Sequence, residues 1–176
     1  MRRSLSIFLL FLALAIIQTS FFASLPGLLA YTPLVAASGV YLVQHVGERY
    51  GAFWIASFGV FLDILSIPSF PLETFPYVTA GLAAYLSARH LFSNRSWYGL
   101  IACGAFTLLS LGLVRAFILV AISLRHPETV SWMAFWDTLL WNAVLSTVLL
   151  TAFFGFAGRI RSFLRTGFLA SNGHEI

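Results

Sequence analysis

The sequence predicts an all-α integral membrane protein, a compact bundle of about six transmembrane helices. Three observations predict it. Hydrophobic residues make up 60% of the 176 and charged residues 9%, with a mean hydropathy of +0.91. A soluble domain carries roughly 25% charge, so most of this surface has to face something other than water. The apolar runs are continuous and long enough for helical spans, unlike the alternating segments of about ten residues that build a barrel. Short breaks rich in turn residues and arginine separate them.

The spans expected are residues 5–24, 28–46, 51–67, 75–92, 97–123 and 130–158. The first follows Arg2 and Arg3, as the apolar part of a secretory signal would. A cleavage site needs small residues, however, and Phe21 or Phe22 occupies one of those positions. About twenty apolar residues also suffice to cross the hydrocarbon core, so this run is expected to stay as a helix. In the second span, Thr32 and Pro33 read as a cap and a first helical position. That leaves roughly 21 Å of helix before Val46 at 1.5 Å per residue, a short span or one preceded by a re-entrant stretch. Residues 1–158 form the expected bundle, and residues 159–176 a basic cytoplasmic tail along an anionic leaflet.

Net charge is +4, from ten arginines and no lysine. The arginines sit beside apolar runs, so they read as a topological signal, not a nucleic-acid patch. With the N-terminus inside, inner connections hold Arg2, Arg3, Arg49, Arg89, Arg95, Arg159, Arg161 and Arg165. Outer connections hold only Arg125, while Arg115 lies within a span. This bias places both termini in the cytoplasm. Trp132 and Trp136 mark an outer aromatic belt, and Tyr50, Trp54, Trp97 and Tyr98 an inner one. Cys103 is the only cysteine, so no disulfide framework or cysteine-based metal site is expected.

Three ionisable residues fall within spans: Asp63, Arg115 and Asp137. Each costs roughly 2.5–3.5 kcal/mol at a helix centre, and less toward the ends. At 1.5 Å per residue they lie roughly 6, 12 and 10 Å below the outer boundary. Arg115 and Asp137 flank one short turn and are expected to meet, either as a structural salt bridge or as the lining of a polar pocket. Ala52, Ala56, Gly59 and Asp63 recur at four, three and four residues, one stripe of a helix. Small residues let helices approach closely in lipid, so the stripe is expected to pack inward and carry Asp63 with it. Thr138, Asn142 and Ser146 form a second polar stripe, expected to make interhelical hydrogen bonds.

Catalytic patterns are missing. There is no nucleophile elbow, no phosphate loop and no H-E-x-x-H. The histidines at 45, 90, 126 and 174 fall on different sides of the membrane. The expectation is a protein that is not an enzyme and carries no cofactor or metal.

The stretch from Thr32 to Leu111 holds Thr32-Pro33, a polar inner turn, and Gly59-Val60-Phe61-Leu62-Asp63-Ile64-Leu65-Ser66, followed by Pro71-Leu72. On these residues it resembles the bacterial rod shape-determining protein MreD family. Gly59 and Asp63 match the family's G-x-x-L-D-L-L-S-like segment. Two N-terminal arginines with Gln18-Thr19-Ser20, and Asn142-Ala143 in the last span, are similar as well. Glu73 departs from the family's Pro-Leu-Gly. The resemblance implies a non-enzymatic scaffold of the cell-elongation machinery in the bacterial inner membrane. Its implied partners are a single-span MreC-like protein and, through it, the actin-like filament and the peptidoglycan synthases. It also implies a fold similar to the substrate-binding subunits of vitamin importers. A small-molecule-binding importer subunit, using a pocket around Asp63, Arg115 and Asp137, is therefore the alternative.

Overall fold

A computed structural model describes residues 2–66, 72–92, 96–124 and 131–156. The expected tail at 159–176, the connection at 67–71, and Arg95 and Arg125 lie outside them. Among the described residues there are six α-helices and no strand: α1 Arg2–Ile16, α2 Leu34–His45, α3 Glu48–Ser66, α4 Thr74–Leu86, α5 Trp97–Ser123 and α6 Trp132–Gly155. Each corresponds to one expected span. Among the described residues, three stretches are long and apolar enough to cross a membrane: Leu5–Phe22, Trp97–Ser123 and Trp132–Gly155.

Local chemistry sets the boundaries. α1 runs on through a π turn, Ile17–Phe22, and Gly27 then takes φ 70°, a conformation that costs glycine nothing. A 3-10 stretch, Gly27–Tyr31, precedes Pro33, which has no N–H to continue a helix. α2 is therefore only 12 residues long, roughly 18 Å. The expected short second span is present. Thr32, however, does not cap it; its hydroxyl donates back to the Leu29 carbonyl at 2.7 Å. Ser96 caps α5 by accepting from Gly99 N at 3.1 Å, and Ser131 caps α6 by accepting from Ala134 N at 3.4 Å.

Consecutive helices run antiparallel, so the start of α1 and the end of α6 share one end of the bundle. The other is here called the distal end. The core is built from α2, α3, α4 and α5: α3 packs most extensively on α4 and then on α2, and α5 on α4. Val35, Val40, Ile55, Phe58 and Leu100 are buried there. α6 leans on α5 and α2, and α1 touches α2 and α3 more lightly.

Glycines set the closest approaches. A Cβ on Gly51 would come within 2.4 Å of Val43 N and 2.5 Å of the Gly39 carbonyl oxygen. α2 and α3 are thus in backbone contact, which no rotamer change relieves. Gly51→Ala is expected to destabilise the protein by about 1–3 kcal/mol through overpacking. Gly155→Ala, with nothing within 4 Å, should leave the melting temperature in detergent unchanged or slightly raised.

Candidate functional site

The polar residues of the distal end begin with Asp63 on α3. Its stripe faces α4, as expected. A Cβ on Gly59 would lie 2.6 Å from Tyr77 Cβ and 2.7 Å from the Glu73 carbonyl, and one on Gly81 would lie 2.6 Å from the Ala52 carbonyl. This close contact carries the Asp63 carboxylate to the start of α4. There Oδ1 accepts from Glu73 N at 3.0 Å and Oδ2 from Thr74 N at 2.7 Å. Two amides that the helix itself cannot satisfy thus receive a carboxylate from a neighbouring helix. The negative group also sits at the positive end of the α4 dipole.

The same device recurs at α2. Gln18, in the π turn after α1, accepts from Val35 N at 2.7 Å. Each capping residue lies on the helix preceding the one it caps. At the opposite end, the buried Gln44 donates to the Phe92 carbonyl at 3.0 Å and ties α2 to the end of α4. Because a lipid core offers backbone groups no water, these side chains let short helices end inside the bundle.

Arg115 on α5 does not pair with Asp137. Its guanidinium donates to the Glu73 carboxylate and lies over the Tyr77 ring at 5.4 Å. The expected partner lies at a similar depth, since a Cβ on Gly112 of α5 would come 2.7 Å from Leu139 Cδ1 of α6. The direction is different. Asp137 belongs to the exposed face of α6 and has no hydrogen bond or ion pair among the described residues. Depth followed from counting residues, but the angle around the helix axis depends on how α6 leans. Glu73 was legible only as a departure from a family pattern, and no local signal tied it to a residue 42 positions away.

The second polar stripe also behaves differently from expectation. Thr138 donates to the Ala134 carbonyl at 2.7 Å, and Asn142 to the Thr138 carbonyl at 2.8 Å, both within α6. What joins α6 to α5 is mainly apolar, Leu139 fitting against Gly112 and Leu150 against Gly104, with one polar tie where the Trp97 indole donates to Thr151 Oγ1 at 3.3 Å. Asn142, Thr138, Phe135, Arg115, Tyr77 and Leu108 line a cleft of about 40 Å³ among α2, α4, α5 and α6. Arg115 Nε is buried beside it without a hydrogen-bond partner. At roughly 10–15 Å³ per water, such a cleft holds a few waters and no larger molecule.

The other buried polar groups serve packing. Cys103 of α5 places its sulfur 3.2 Å from Ser87 Oγ, and Trp54 of α3 donates to Ser38 Oγ of α2 at 3.1 Å. Among the described residues, no three of His, Cys, Asp and Glu come together as a metal site would need. No protein-family model, curated protein or solved structure matches the chain.

Proposed function

We propose that this chain is a non-enzymatic scaffold of the bacterial inner membrane. In this reading it is an MreD-like subunit of the cell-elongation machinery, with both termini in the cytoplasm, that holds the span of a single-pass MreC-like partner. The observation that carries the reading is the size of the cleft. A vitamin-binding subunit needs an aromatic-lined cavity of about 300 Å³ or more, whereas the cleft beside Arg115 measures about 40 Å³. The three charged residues named for such a pocket are also dispersed. Asp63 is used inside the fold on α4, Arg115 on Glu73, and Asp137 faces outward. The polar chemistry supports a fixed shape presented to a partner.

Asp63→Asn tests the reading. Asparagine keeps the volume and one acceptor oxygen but loses a charge-assisted bond, roughly twice as strong as a neutral one. The variant is expected to insert normally and to co-purify less of the MreC-like partner in mild detergent. Mass spectrometry of proteins and small molecules from the same preparations decides between the two readings. A stoichiometric vitamin-like ligand that disappears with Asp63→Asn, while protein partners stay, would establish the importer alternative.

A further inference from the structure

The outward face of α6 carries a carboxylate that the described fold leaves unpartnered. Met133, Asp137, Leu140, Val144 and Val148 recur at four, three, four and four residues and form one stripe. Met133, Leu140, Val144 and Val148 are 78%, 62%, 50% and 59% exposed, and Asp137 is exposed among them. Asp137 lies five residues beyond Trp132, so roughly 8 Å along the axis at 1.5 Å per residue. Lipid tails satisfy the apolar members of this stripe, but they do not satisfy a carboxylate, and intramembrane charges characteristically pair. Among the described residues the cation at a similar depth, Arg115, is engaged by Glu73. The adjoining Thr138 hydroxyl is engaged as well, donating to the Ala134 carbonyl of α6 itself. A second copy presenting the same face would set two carboxylates against each other at one depth, a repulsive arrangement.

We infer that this face of α6 is the docking surface for a single transmembrane helix of another protein, one that carries an arginine or lysine at the depth of Asp137. Charge complementarity fixes that occupant: an apolar helix packs along Leu140, Val144 and Val148, and its cation pairs with the carboxylate. Taking the occupant to be the MreC-like partner's span rests on the function proposed above. The docking surface itself does not.

The test uses the full chain in phosphatidylglycerol bilayers with two designed leucine-rich single-span peptides. One peptide has an arginine five residues from one end, the other a leucine in its place. Energy transfer measures their association with the chain. The arginine peptide is expected to bind wild type at least tenfold more tightly than the leucine peptide, and Asp137→Asn is expected to abolish the difference. Equal binding of the two peptides, or an unchanged preference in Asp137→Asn, overturns the proposal. So does loss of the preference when phosphatidylethanolamine is added, because a lipid amine then serves the carboxylate. Photo-crosslinking in cells from Val144 and from Leu113 separates this inference from the scaffold reading. An MreC-like protein captured from Leu113 alone removes the docking assignment and leaves the scaffold. An arginine-peptide preference with no MreC-like protein co-purifying supports the docking surface and removes the scaffold.

Discussion

Removing either member of the Arg115–Glu73 pair is expected to cost about 3 kcal/mol, because each single change strands a charge in a low-dielectric site. The pair joins α5 to the start of α4 across 42 residues of sequence, and Tyr77 covers the guanidinium. Arg115→Met leaves Glu73 without its cation, and Glu73→Met leaves Arg115 without its anion. The double variant strands neither, and apolar side chains of similar length suit the surrounding helices. It should therefore melt above both single variants in detergent, with a coupling energy on the order of 1–3 kcal/mol. The same cycle between Arg115→Met and Asp137→Asn should be additive within about 0.5 kcal/mol, as for groups that share no contact. Coupling with Asp137 in place of Glu73 would reverse the assignment of the ion pair.

Asp63→Leu is expected to be nearly as damaging, by a different route. It removes the two carboxylate bonds that the amides of Glu73 and Thr74 make, at about 1.5–3 kcal/mol for each charge-assisted bond. It also removes a negative charge from the positive end of α4. Asp63→Asn retains one acceptor and should lose about half as much. Gln18→Leu strands the single amide of Val35, so it should resemble Asp63→Asn and not Asp63→Leu. Hydrogen exchange in a lipid nanodisc reads this directly. Protection at Glu73 and Thr74 should fall in the Asp63 variants alone, and protection at Val35 in the Gln18 variant alone. Full protection of α4's first turn in Asp63→Leu would mean that the cap contributes nothing.

These two results also mark how far the sequence could be read. The Ala52, Ala56, Gly59 and Asp63 stripe was legible because helix period alone puts those residues on one face. The presence of three small residues made close packing the economical interpretation. What Asp63 meets there was not legible. Its partners are backbone amides, which every residue possesses and no sequence pattern advertises. Gln18 was hidden for the same reason, since an amide side chain near a span end has many uses, and only the π turn after α1 sets it beside α2.

The sequence by itself determined the helical class, the six helices and their order, and the shortness of α2. Each follows from local causes: continuous apolar length, and the glycines and prolines that interrupt it. The tertiary structure alone decided which charges meet. Counting residues gives the depth of Arg115, Glu73 and Asp137 along their helices. Whether a side chain then faces a neighbour or the outside depends on the rotation of each helix about its axis. In α6 that rotation is set by Leu139 and Leu150 seating against Gly112 and Gly104, which turns Asp137 outward and leaves Arg115 to Glu73.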